Sequence, residues 1–152
     1  MKNPFRFWMT SGVAIMVAAV SGGRSFAGEE RLTRTRVTSY GVSEIVHRIE
    51  ASAQRHGMHV LACLPQSRDE KTGESHYVIV LESSQGGTPV QMETADAQPD
   101  LLLSVVLRRG AQGDTEVFLH KGAMRDLPED LSPQVKHDLA DLSAMVDEAL
   151  EA

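Results

Sequence analysis

Apolar and polar residues along this chain fall into two rhythms, one of period two and one of period 3.6, which mark strands and helices in turn. Arg31 to Thr38 alternates charged residues, threonine and aliphatic residues, the pattern of an edge strand. Val42, Ile45, Val46, Ile49 and Ala53 then stand at i, i+3, i+4, i+7 and i+11, which predicts a helix from about Val42 to His56 with one apolar stripe. Glu44 and Arg48 pair at i, i+4 on its outer side, and Gly57 stands where a helix C-terminal glycine belongs. Met58 to Leu64 reads as a strand ending at Pro65, and His76 to Glu82 as a strongly β segment. Ser83 to Gly87 breaks it, and Thr88 to Thr94 alternates again. Leu101 to Leu107 is almost continuously apolar, as expected of a central strand covered on both faces. Gly110 to Asp114 turns the chain into a partner strand, Thr115 to His120. Ser132 can cap a last helix that Pro133 begins, with Val135, Leu139, Leu142, Val146 and Ala149 on one face. The order is strand, helix, a run of strands, helix. It predicts an α+β fold, an antiparallel-rich sheet with two helices packed on it.

A different pattern precedes these elements. Lys2 and Arg6 introduce a mostly apolar run of 14 residues, Phe7 to Val20, and Ser25-Phe26-Ala27 places small residues three and one positions before a cleavage point. A membrane span needs roughly 20 apolar residues. Residues 1–27 are therefore expected to be a secretory signal cut after Ala27 rather than a retained anchor, and residues 28–152 a single α+β domain in the periplasm or secreted.

Composition adds to this in three ways. The chain is 41% hydrophobic and 24% charged, as ordinary globular proteins are. Loss of Lys2, Arg6 and Arg24 with the signal leaves 12 basic side chains against 21 acidic ones, a formal charge of −9. Such a domain lacks the clustered cations that nucleic acid requires, and anionic lipid headgroups repel it. Neither nucleic acid nor, after cleavage, membrane is expected as a partner. The basic group Arg31, Arg34 and Arg36 reads as the solvated rim of an edge strand, where charge discourages pairing. Cys63 is the only cysteine, so no internal disulfide can form and the core must hold the fold. Within Val60-Leu61-Ala62-Cys63 it reads as a buried thiol.

Candidate chemistry is sparse. His56, Met58, His59 and Cys63 are the densest group of soft donors for copper or zinc. On a strand, however, His59 and Cys63 lie about 13 Å apart, so surface histidines and a core methionine are the plainer reading. The loop Ser83-Ser84-Gln85-Gly86-Gly87-Thr88 could present backbone N–H groups to an anion. It lacks the lysine and following helix of a phosphate-binding loop. No G-x-S-x-G nucleophile motif occurs, and no cofactor is called for. His76, His120 and His137 have carboxylates nearby in sequence but at no diagnostic spacing, and Asp126, Glu129 and Asp130 read as a helix-starting acidic run.

Several of these motifs together resemble a known family. A helix ending in Arg55-His56-Gly57, the strand Gly87-Thr88-Pro89-Val90-Gln91-Met92, the entry Pro99-Asp100-Leu101-Leu102-Leu103, the hairpin Gly113-Asp114-Thr115-Glu116-Val117 and the final amphipathic helix are similar to bacterial domain-of-unknown-function family 302. The resemblance covers Ser43 to Leu150. It implies a β-α-β(4)-α fold and small single domains, some of them dimeric, and it brings no biochemical activity. Three departures stand out. Leu64-Pro65-Gln66 replaces a usual histidine, Glu82-Ser83-Ser84-Gln85 replaces a Phe-Gly-Asn-Pro turn, and Leu101-Leu102 replaces Leu-Pro. If the family's histidine and turn line a ligand site, this chain has lost or rebuilt it.

The leading expectation is a non-enzymatic domain that binds a small ligand or a protein, with Ser84, Gly86, Gly87, Thr88 and Met92 as the residues to watch. An apolar pocket between sheet and helices would suit a ligand. A homodimer through an exposed strand edge is also expected. The alternatives are a hydrolase or isomerase, which needs a histidine and a carboxylate converging in a cleft, and a metal-handling protein. Export itself can be checked directly. N-terminal sequencing of protein recovered from outside the cytoplasm should begin at Gly28; a start at Met1 refutes cleavage.

Overall fold

A computed structural model describes residues 31–91, 95, 100–121 and 129–151; residues 1–27 and Met92 lie outside these. The elements follow the expected order. They are β1 (Leu32–Thr38), α1 (Val42–Arg55), β2 (His59–Arg68), β3 (Ser75–Glu82), β4 (Val90–Gln91), β5 (Asp100–Leu101), β6 (Ser104–Arg109), β7 (Thr115–His120) and α2 (Pro133–Glu151). Five strands make an antiparallel sheet in the order β1-β7-β6-β3-β2, and β4 and β5 make a separate two-stranded ribbon. Without the ribbon the order is β-α-β(4)-α, an α+β fold.

Period two decides which side chains face the helices. Ile79 and Leu81 of β3, Val105 and Leu107 of β6, and Val117 and Leu119 of β7 share one core with Ile45, Ile49 and Ala53 of α1 and Leu139, Leu142, Val146 and Ala149 of α2. Val42 and Val46 of the first stripe and Val135 of the second are partly buried against it. The opposite sheet face carries a smaller cluster, Val78, Val80 and Val106, with Leu32, Leu101 and Phe118 packed on it.

The helices also meet each other. The Ser52 hydroxyl, fully buried, donates to the Met145 carbonyl at 2.9 Å, so a short side chain ties α1 to the backbone of α2. At the rim Arg55 Nη2 lies 2.6 Å from Glu148 Oε1, and Arg36 of β1 reaches Asp147 and Glu151 at 3.4 and 3.2 Å. The acidic end of α2 is unfavourable to its own dipole, and cations from two other elements offset it. The Glu44–Arg48 pair forms at 2.7 Å, with the Arg48 guanidinium 4.1 Å from the Tyr40 ring centre.

Three expectations change. β2 does not stop at Pro65 but runs to Arg68. It is an edge strand, where a missing N–H is tolerated, and its pairing with β3 slips beside the proline, between Pro65 and Ser67, and again between Val60 and Ala62. The apolar run from Leu101 is divided. Leu101 belongs to the ribbon, Leu102 and Leu103 bend into the core, and the central strand begins at Ser104. The bend is fixed by its own backbone, since Leu102 N–H donates to Pro89 O at 3.2 Å and Leu103 O accepts from Leu81 N–H at 2.9 Å. Finally, Val90–Gln91 pairs with β5 and not with the main sheet.

Helix α1 ends in a Schellman motif: Met58 N–H donates to Ala53 O at 2.9 Å and Gly57 N–H to Gln54 O at 3.1 Å. Gly57 takes φ +76°, and a Cβ there would stand 3.5 Å from Ser84 Cβ. This glycine brings the helix end against the Ser83–Thr88 loop. Gly57→Ala should lower stability by about 1 kcal/mol through the left-handed backbone alone. The check is a urea midpoint that falls at unchanged slope; an unmoved midpoint would contradict the account.

Candidate functional site

The loop after β3 is organised by a residue that the sequence reading passed over. Asp138, on the inner side of α2, is 2% exposed. Its Oδ2 accepts from the Ser83 hydroxyl at 2.7 Å, from Ser84 N–H at 2.9 Å and from the Ser84 hydroxyl at 2.9 Å. Its Oδ1 accepts from Gln134 Nε2 at 3.2 Å. Burial works against the charge, but these donors outweigh it and hold the carboxyl below the usual carboxylate range. Ser132 joins the same junction. Its hydroxyl accepts from Val135 N–H at 3.3 Å as the expected helix cap and meets Gln85 Oε1 at 3.1 Å.

The N–H groups of Gln85, Gly86 and Gly87 are also taken. Gln85 N–H donates to the Ser83 hydroxyl, Gly86 N–H to Ser83 O and Gly87 N–H to Glu82 Oε1, at 3.3, 2.8 and 3.2 Å. Gly86 and Gly87 have φ of +90° and +74°, as this curl requires. Carboxylates of the protein itself, Asp138 and Glu82, thus take the Ser84 and Gly87 N–H groups that an anion would need. Thr88 Oγ1 is buried with no hydrogen-bond partner. Ser84, Gly86, Gly87 and Thr88 therefore share one loop, while Met92 lies outside the described residues.

The soft donors are dispersed. Met58 is buried in the core beneath the end of α1. His59 is exposed at the start of β2, opposite Glu82. Cys63 is half-buried opposite Ile79, and burial pushes its thiol up. His56 turns away from them toward α2, with Nε2 3.0 Å from Glu148 Oε2.

A second polar cluster lies where the ribbon meets the sheet face opposite α1 and α2. Arg31 and His120 both approach Asp100 Oδ2, Arg31 in a short ion pair and His120 Nε2 at 3.7 Å. Burial lowers the His120 imidazole from its ordinary value; Asp100 pulls the other way and Arg31 adds to the lowering. Arg31 therefore serves in an ion pair and is not simply a solvated rim charge. The same holds for Arg34, 2.8 Å from Glu116, and for Arg36.

No family model and no curated protein matches the chain. Among solved structures it is similar to an uncharacterized conserved protein DUF302 from Bacillus stearothermophilus, at 15% sequence identity and a TM-score of 0.48, covering 80% of this chain and 96% of that one. That protein carries the same family designation as the motif resemblance.

Asp138 generates a prediction with a defined sign. A carboxyl held below its unfolded value of about 3.9 contributes stability above that pH and loses it as pH falls through the folded value. Asp138→Asn turns an amide toward partners that are all donors, and should cost about 3 kcal/mol at neutral pH. The loss should shrink below about pH 4. Chemical denaturation at pH 7 and pH 3 checks both; an equal loss at the two pH values would refute the ionic latch.

Proposed function

We propose that the protein is a non-enzymatic binding module that works outside the cytoplasm and pairs with a second copy of itself along β2. The observation that carries this reading is the character of that edge. β2 ends the sheet, and Leu61 and Leu64 on it are 51% and 44% exposed. No charged residue occurs from Val60 to Ser67. The other edge, β1, presents Arg34 and Arg36, the usual protection against strand addition.

The sheet register extends the argument inward. Leu64 stands opposite Val78, Val78 opposite Val106, and Val106 opposite Phe118, so these four share the sheet face opposite α1 and α2. A strand added to β2 would lengthen this apolar row while satisfying the open backbone donors and acceptors. A second copy offers the same edge, and a twofold pair is self-complementary. The case for export rests on the apolar run Phe7 to Val20 and the small residues before Gly28. Among the described residues no helix is long and apolar enough to cross a membrane.

Sedimentation equilibrium tests the pairing. The wild-type protein should run at twice the chain mass. The double variant Leu61→Lys with Leu64→Lys should run at the chain mass with an unchanged far-UV circular dichroism spectrum. A wild-type protein that stays monomeric at the highest concentration reached would overturn the reading.

A further inference from the structure

The ribbon is fastened to the main sheet partly by backbone and partly by charge. Leu102 N–H donates to Pro89 O at 3.2 Å, and the Ser104 hydroxyl donates to Leu101 O at 2.5 Å. Leu101 itself packs on Val78, Val80 and Val106. One residue earlier, Asp100 of β5 turns the contact into a charged one. Arg31, just before β1, forms a short ion pair with Asp100 Oδ2, and His120, which ends β7, brings Nε2 to 3.7 Å from the same oxygen. The register sets His120 opposite Leu32, the neighbour of Arg31. Three parts of the chain thus converge on one oxygen. The site is largely enclosed, with the His120 and Asp100 side chains 11% and 19% exposed. Lys121, which follows His120, is exposed.

Charge balance at this point depends on the imidazole. While His120 is neutral, the Arg31 cation and the Asp100 carboxylate cancel. A proton on His120 would set two cations against one carboxylate where little water screens them. The contact of 3.7 Å is also longer than the 2.7–2.9 Å of a charge-assisted bond, so the protonated ring would not gain a full partner in place. Burial is the main cause that lowers the imidazole from its ordinary value; Asp100 opposes it and Arg31 adds to it.

We propose that His120, Asp100 and Arg31 form an acid-sensitive catch, which holds the β4–β5 ribbon on the sheet and releases it when His120 takes a proton from solvent. In the open state the hydrated ring binds its proton with the ordinary value of about 6.5. Closure is therefore at full strength above about pH 6.5. It weakens as pH falls below that value, by at most about tenfold per pH unit for one proton, until the lower folded value is reached. Release lifts Leu101 from Val78, Val80 and Val106, so that pH governs access to these apolar side chains. Asp138 takes no part, since its carboxyl titrates below the usual carboxylate range. The catch uses neither Leu61 nor Leu64, and the inference is independent of the β2 pairing.

Amide hydrogen exchange read by NMR tests the catch, with Leu102 N–H as reporter for the ribbon and Ile79 N–H as reference for the central sheet. Between pH 7.5 and pH 5.5 the Leu102 protection factor should fall by about three- to tenfold, while that of Ile79 holds. His120→Gln should abolish the fall. Arg31→Gln removes the competing cation and leaves a protonated His120 as the partner of Asp100, so protection should stay level or rise as pH drops. Arg31→Gln, at a partly exposed position, supplies the test by itself if His120→Gln does not fold. A wild-type fall of less than about twofold, a parallel fall at Ile79, or an unchanged fall in either variant would overturn the proposal.

Discussion

The structure depends on one seam, where the inner face of an antiparallel sheet meets two helical stripes. With a single cysteine, no covalent crosslink within the chain assists it. Ile79, Leu81, Leu107 and Leu119 from the sheet and Ile45, Ile49, Leu139 and Leu142 from the helices are buried in this seam. Each such side chain contributes roughly 1.5–3 kcal/mol on leaving water, against the large entropy of ordering the chain. The arrangement is possible only because the two helices lie on the same face and can approach each other. Ser52 and Ala53, both small and fully buried, permit that approach.

Polar groups act at the borders of the seam and set orientation more than cohesion. Asp138 fastens the loop after β3 to α2, Ser52 fixes the two helices, and Arg36 and Arg55 neutralise the acidic end of α2. Exposed ion pairs of this kind are each worth little. The buried carboxylate differs, because its donors would be left without a partner if it were removed. The result is an apolar centre with polar fasteners at the helix ends, and those ends are where His56, His137 and Asp141 meet.

Much of the fold was legible because periodicity reports burial directly. The stripe Val42–Ala53, the glycine after α1, the proline and serine that begin α2 and the central position of Ser104–Leu107 all follow from local rules. Misreadings arose where a local rule met a tertiary one. Pro65 suggested a strand end, yet an edge position leaves its missing N–H without consequence. Leu101 to Leu107 looked like one strand because apolar residues serve equally well in a buried bend. Asp138 was missed although the signal was present: it lies three residues after Val135 and four before Leu142, inside the apolar stripe of α2. A carboxylate at such a position must find donors, and the serine pair across the gap supplies them. That His56 and His137 would both approach Asp141 was not legible, since 77 residues lie between α1 and α2 and no motif marks the encounter.

The proline in the outermost strand has a further consequence. A sheet margin of ten residues without charge at its centre could template unlimited growth into fibres. Pro65 removes one donor from that margin, and the two register slips that flank Ala62–Pro65 bend it out of the flat geometry that stacking needs. An edge interrupted in this way resists propagation into fibres.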